Sequence, residues 1–166
     1  IRRLCDAKGA ALIMDEVRAG FRLHVAGSWE PLGVQPDLAA WSKAIANGYA
    51  LSAVTGADWL RDAASRVTVT GSFWAGAVAM AAGIATLKII RRDNVPDKLL
   101  ALGTQLREGL DARARQFGQV IRQTGPVQMP TLLFEDDSDY RKGYAFCNAM
   151  LERGVYFHPK HNMFLC

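Results

Sequence analysis

The chain has 166 residues, half of them hydrophobic and 22% charged, with 15 Gly and 6 Pro, a composition that supports a folded core and excludes a disordered or collagen-like chain. Twenty Lys and Arg against sixteen Asp and Glu leave a net charge of +4; with no clustered basic stripe, that balance gives no nucleic-acid footprint. Cys5, Cys147 and Cys166 form no CxxC pair and are odd in number, which argues against a disulfide framework or zinc knuckle and for reduced thiols in the cytoplasm.

In chain order, residues 1–8 read as the last turns of a helix stopped by Gly9, and residues 10–14 form an apolar run ending at Asp15-Glu16. A run apolar on both faces suits a buried parallel strand. After a loop rich in Gly, Ser and Pro at residues 27–33, Pro36-Asp37 introduces a second strand, residues 38–41, followed at once by Ser42-Lys43. A third strand is expected at 51–55 and a short helix at 57–65. The longest uncharged run, residues 67–87, is broken by Gly71, Gly76 and Gly83 and has no basic flank, so it reads as a buried loop and helix and not as a membrane span. Helical spacing of Val78, Ala81, Ala82, Ala85 and Ile89 predicts a helix over 75–92, buried early and exposed late.

Pro96 suits a first helical position, and Leu99, Leu102, Leu106 and Leu110 extend an amphipathic stripe to about Phe117. Strands follow at 120–124 and 131–134, then an amphipathic helix over 140–153 stopped by Gly154. The pattern is α/β at the start and α+β in the second half, with a boundary inside the long helix near residue 90, giving domains 1–90 and 91–166. Ile1 begins inside a helix-like stretch and Cys166 follows an apolar Met163-Phe164-Leu165, so both ends read as cuts in a longer chain.

Ligands of open α/β sheets sit beyond the carboxyl ends of the strands. Asp15 after the first strand and Lys43 after the second fall there, where they either pair with each other or flank a cofactor. A lysine in a small, apolar setting (Ala44, Ile45, Ala46, Gly48) is ordinary equipment for a Schiff base when burial lowers its pKa. His158-Pro159-Lys160-His161 offers two imidazoles without a third ligand at metal spacing, so no metal site is expected. The acidic stretch at 135–139 reads as a solvated loop, His24 as a loop residue, Arg18 and Arg22 as solvated or else clasping a substrate carboxylate, with the first preferred, and Gly20 and Gly48 as turns needing positive φ.

The strings Met14-Asp15-Glu16-Val17-Arg18-Ala19-Gly20-Phe21-Arg22, Gln35-Pro36-Asp37-Leu38, Ser42-Lys43-Ala44-Ile45-Ala46-Asn47-Gly48-Tyr49, Gly71-Ser72-Phe73 and, near the end, Leu151-Glu152-Arg153-Gly154-Val155 stand in an order and spacing that resembles the class III pyridoxal-phosphate aminotransferases, and most the glutamate-1-semialdehyde aminomutase branch. The resemblance covers nearly the whole chain. It implies fold type I: the C-terminal part of a large cofactor-binding α/β domain followed by part of a small α+β domain. It also implies pyridoxal 5'-phosphate as cofactor, a small amino, keto or semialdehyde substrate, no nucleic acid or membrane partner, and a homodimer with shared active sites.

By the same resemblance, Lys43 corresponds to the lysine that binds the cofactor's aldehyde as a Schiff base and then shuttles a proton. Asp15 corresponds to the aspartate that keeps the pyridine nitrogen protonated, and Val17 to the apolar residue against the ring. Gly71 and Ser72 correspond to the segment whose hydroxyl and backbone N–H reach the phosphate of the neighbouring subunit's cofactor. Ala19 replaces a frequent Thr, and Trp74-Ala75-Gly76-Ala77 replaces a small residue followed by Gly-Asn-Pro; both departures bear on substrate identity. The family's upstream phosphate loop and ring-stacking aromatic residue have no counterpart here, so this stretch alone is expected to bind cofactor poorly. Alternatives are an amine or diamine transaminase of the same class and a non-catalytic basic binding module; the ordinary readings are Lys43 as a surface residue after a Ser42 helix cap, Asp15 as a strand-end turn former and Ser72 as a plain loop hydroxyl.

Overall fold

The computed structural model describes residues 1–74 and 76–165. They form two compact units, Ile1–Pro96 and Asp97–Cys166. The division falls in the first turn of a helix, and the helix before it packs on the first unit along Gly83, where an added Cβ would lie 2.7 Å from Leu51 Cδ2.

In the first unit, helix α1 (Arg2–Lys8) ends at Gly9, whose φ of 63° fits the left-handed stop expected of it. Strands β1 (Ile13–Asp15), β2 (Leu38–Trp41) and β3 (Ala53–Gly56) form a sheet of order β1-β2-β3. β1 runs parallel to β2, with Asp15 opposite Ala40, whereas β3 returns antiparallel, with Ala53 opposite Trp41. Asp37 ties the entry to β2 back to the rest of the unit: its Oδ2 accepts from Leu12 N–H at 2.7 Å and from Arg2 Nη1 at 2.7 Å. These bonds hold its carboxyl below the ordinary value, the Leu12 N–H first and Arg2 next.

The core of this unit gathers Trp29, Ala39, Trp41, Ile45 and Ala46, with Met14, Phe21 and Leu51 packed around them. Trp41 is its hub. Phe21 stacks on it at 4.8 Å between centroids, Trp29 meets it edge-on at 5.4 Å, and its Nε1 donates to Thr55 Oγ1 at 2.9 Å, the polar partner a buried indole requires. β1 departs from the expected buried run: Ile13 and Asp15 are exposed, because β1 is an edge strand of this sheet and only Met14 joins the core. The expected helix at 57–65 is a 3-10 turn, Asp58–Leu60, continuing into α2 (Arg61–Ser65).

Helix α3 (Ala77–Arg92) is preceded by Gly76 at its N-cap; the expected start at Ala75 lies outside the described residues. The expectation of a buried segment over 67–87 fails. Val67, Val69, Phe73, Trp74, Val78, Met80 and Ile84 are exposed, Phe73 at 90%. Ala82 and Gly83 meet the core, so only this narrow stripe is covered by the described residues of the unit. No described helix is long and apolar enough to cross a membrane.

The second unit contains most of helix α4 (Val95–Gln116), the antiparallel pair β4 (Ile121–Thr124) and β5 (Thr131–Phe134), and helix α5 (Arg141–Leu151). Gly103 on α4 is buried against the backbone of Val127. α5 packs through Phe146, which meets Phe134 at 5.9 Å and Phe157 at 5.4 Å, and Cys147 is buried beside it. Asp137 opens α5: its Oδ1 accepts from Lys142 N–H at 2.9 Å and its Oδ2 from Gly143 N–H at 2.7 Å, filling the role of a helix cap. The acidic stretch is therefore more than a solvated loop, since Asp136 also pairs with Lys142, which pulls its carboxyl below the ordinary value.

Candidate active site

Asp15 is the last residue of β1, and Lys43 follows the end of β2 by two residues. Since these strands are neighbours and parallel, both side chains leave the same edge of the sheet. They do not pair with each other. Asp15 Oδ1 accepts from the Val17 N–H at 3.0 Å, while Lys43 forms no ion pair among the described residues. The expectation of a partly buried lysine is not met within this chain, because the small residues after it turn inward and leave Lys43 outside: Ile45 and Ala46 are buried, and Lys43 and Asp15 are exposed.

The backbone at Lys43 is unusual. Its φ is +50°, in the left-handed region that favours glycine. Ser42 before it is extended, and its hydroxyl donates to the Leu51 carbonyl at 3.2 Å, so Ser42 does not cap the 3-10 turn Lys43–Ile45 that follows. The chain thus reverses sharply at Lys43, held on one side by Trp41 in the core and on the other by Ile45 and Ala46. Backbone strain of this kind persists where the surroundings over-determine it.

The turn after Asp15 is built as tightly. Glu16, which the sequence reading passed over, is only 1% exposed. Its N–H donates to the Ala40 carbonyl and its own carbonyl accepts from Gly20 N–H, both at 2.9 Å. Its carboxylate accepts from Ser28 N–H at 3.0 Å and from Ser28 Oγ. The strand period of two was the available signal: Asp15 outward implies Glu16 inward. Gly48 has the positive φ expected of it, but Gly20 does not. Gly20 is required for space, since a Cβ there would lie 2.6 Å from the Glu16 carbonyl oxygen and 2.8 Å from the Trp41 ring.

Val17 is half-buried next to Asp15. Gly71 and Ser72 are exposed, with nothing within 4 Å of where a Gly71 Cβ would stand. Nothing described in the first unit joins them to Asp15 and Lys43. Arg22 is not simply solvated, since its Nε donates to the Arg18 carbonyl at 3.1 Å. His24 Nδ1 accepts from Ala26 N–H within its own loop. The His158 and His161 rings lie 5.9 Å apart, and no group of three His, Cys, Asp or Glu among the described residues forms a metal cluster. The second unit has a groove of its own, of about 610 Å³, lined by Leu106, Tyr156, Phe157, His158, His161 and Met163 among others.

An acid and an amine thus stand at the ends of adjacent parallel strands, each on a tightly held turn. Residues 1–165 match the model of the family described as aminotransferase class-III, and the chain belongs to that family. It is 52% identical over 164 residues to an aminopentol aminotransferase of Sphingopyxis macrogoltabida, covering 99% of this chain and 39% of that protein. It is 32% identical over 169 residues to a glutamate-1-semialdehyde 2,1-aminomutase of Chloroherpeton thalassium, covering 94% and 39%. Among solved structures it is similar to the PLP internal aldimine form of the FumI protein of Sphingopyxis sp. MTA144, with a TM-score of 0.96, 52% identity and coverage of 99% and 40%. It is also similar to an omega-transaminase from Sphaerobacter thermophilus, with a TM-score of 0.84, 28% identity and coverage of 99% and 41%. The chain therefore has the α/β fold of these enzymes, fold type I, over about two fifths of the length of the relatives it matches.

Proposed function

We propose that this chain contributes to a pyridoxal-phosphate-dependent enzyme of amino-group transfer, an aminotransferase or aminomutase, in which Lys43 is the covalent anchor and proton carrier and Asp15 the partner of the cofactor's ring nitrogen. The observation that carries the reading is that an exposed carboxylate and an exposed amine end neighbouring parallel strands, the amine on a left-handed backbone. Pyridoxal phosphate, when bound, supplies an aldehyde that condenses with primary amines and a ring that accepts an electron pair.

The residues present fit such a group. Lys43 Nζ has no ion pair among the described residues to compete for it, and a primary amine is the nucleophile an aldehyde takes up. Released from that bond, the same Nζ holds and returns a proton at the substrate's alpha carbon. Asp15 commits one oxygen to the Val17 N–H, and its charge stabilises a protonated ring nitrogen. Val17, half-buried beside it, offers an apolar surface for the ring. Gly71 and Ser72 offer a backbone N–H and a hydroxyl suited to phosphate. Their exposure, apart from Asp15 and Lys43 in the same unit, supports a role toward the cofactor of a second subunit in a homodimer. The unpaired Cys5 and Cys147 support a reducing, cytoplasmic setting. With Lys43, Asp15, Gly71 and Ser72 all exposed in this chain, the 166 residues by themselves hold the cofactor weakly and are inactive alone.

Which amino donor is used has two readings. Similarity to a glutamate-1-semialdehyde aminomutase supports an amino-acid semialdehyde, and the higher identity to a protein named for aminopentol supports a polyhydroxylated amine. The test is to load the full-length protein with pyridoxal phosphate and follow the cofactor's absorbance as glutamate 1-semialdehyde or a polyhydroxylated primary amine is added. Conversion by either one in wild type, lost in Lys43→Ala and reduced by about a hundredfold or more in Asp15→Asn, is the expected result. Undiminished conversion in both variants contradicts it.

A further inference from the structure

We propose that Glu16 is a positioning residue: its buried carboxylate, clasped by Ser28, fixes the strand end that presents Asp15. The inference rests on the reading above that Asp15 serves the ring nitrogen. Glu16 follows β1 directly and its N–H still bonds to Ala40 of β2, so the alternation of an extended chain carries over to it and the two neighbouring carboxylates divide two tasks. Asp15 stands exposed at the edge of the sheet, and Glu16 turns into the protein at 1% exposure.

Burying a carboxylate is costly unless its oxygens are bonded. Both Glu16 oxygens are: Oε2 accepts from Ser28 N–H at 3.0 Å and Oε1 from Ser28 Oγ. The main chain of Glu16 is equally committed, to Ala40 on β2 and to Gly20 across the turn. One residue therefore fastens β1 to β2, closes the turn that follows Asp15, and anchors the loop carrying Trp29. Trp29 in turn packs on Trp41, two residues before Lys43. Filling this place with an apolar side chain would conserve the packing but release the loop. The bonds of Glu16 thus serve orientation of the two strand ends, as the supporting groups around a preorganised site do.

The experiment compares Ser28→Ala, Glu16→Ala and Glu16→Gln in the full-length protein. The glutamine keeps an acceptor for the Ser28 N–H and a polar partner for its hydroxyl. Two quantities are read well below each variant's melting temperature: the affinity for pyridoxal phosphate and the pH midpoint of the bound cofactor's absorbance, which follows its electrostatic surroundings. Ser28→Ala and Glu16→Ala are expected to weaken binding by about tenfold or more and to displace the midpoint, with Glu16→Gln restoring both toward wild type. Variants that melt earlier yet keep the wild-type affinity and midpoint overturn the proposal and leave Glu16 a purely structural carboxylate. Should Glu16→Ala fail to fold, Ser28→Ala, which removes a single hydroxyl, decides on the same readouts. Uptake at Lys43 in wild type with unmoved Ser28 and Glu16 variants overturns this inference alone; no uptake in wild type overturns the parent reading and this one with it.

Discussion

Gly103 lies so close beneath Val127 that a Cβ added to it would stand 2.2 Å from the Val127 carbonyl oxygen and 2.5 Å from its carbonyl carbon. Both obstructing atoms are backbone, so no side-chain rotation relieves the clash. Gly103→Ala gains about 1 kcal/mol of helix propensity and loses more to the displacement of either α4 or the loop. A net destabilisation of about 1–3 kcal/mol is expected, measured as a lower midpoint in urea. Gly109→Ala, on the same helix with open space around it, is the control and is expected to stabilise slightly.

Trp41 joins the core to the site. It is buried, stacks on Phe21 and donates its N–H to Thr55 Oγ1. Trp41→Ala is expected to cost about 3–5 kcal/mol, and Trp41→Phe about 1–2 kcal/mol, for the loss of one hydrogen bond and some packing. Chemical denaturation of the two variants beside wild type checks the order; equal losses would mean that the phenyl ring recovers none of the packing and would contradict it.

Asp37 gives the fold a defined response to acid. Its carboxyl is held below the ordinary value of 3.8 by the Leu12 N–H, then by Arg2, with Trp59 adding a weaker bond. A carboxylate whose folded pKa is depressed contributes stability that is present above its unfolded pKa, near 3.8, and lost as pH falls through the lower folded value. Asp37→Asn is therefore expected to lower the melting temperature at neutral pH and to flatten the acid limb of stability below about pH 4. A melting curve taken at several pH values reads both effects, and an unchanged acid limb would contradict the assignment.

Cys147 is buried on α5, and loss of hydration pushes its thiol up from the ordinary value. In native protein it is expected to react with a disulfide reagent at least about tenfold more slowly than the half-buried Cys5. In denaturant the two should react alike. Peptide mapping after timed labelling distinguishes them.

Much of this was legible in the residues, for reasons that can be named. β2 and β5 fall where their short apolar runs predict, and α1 ends at Gly9 because the left-handed stop is written in the glycine itself. Asp15 and Lys43 fall at the ends of neighbouring parallel strands, as expected, because such ends are visible as apolar runs closed by a polar residue. What escaped was what depends on neighbours. The run 67–87 reads as core by composition, yet Phe73 and Trp74 are exposed, since hydrophobicity states a preference for cover without naming what supplies it. Gly20 reads as a turn of positive φ, but its reason is the Trp41 ring, distant in sequence. Glu16 was overshadowed by its neighbour, and its partner Ser28 lies in a loop that no periodicity predicts.

The covalent role proposed for Lys43 resides in one atom, its Nζ. Incubating the full-length protein with pyridoxal phosphate, reducing with borohydride and mapping the peptides reads it directly, with Lys43→Ala as the control. The account predicts a single phosphopyridoxyl adduct on Lys43, absent from the variant. A folded protein that labels at another lysine, or diffusely over its surface lysines, would contradict it.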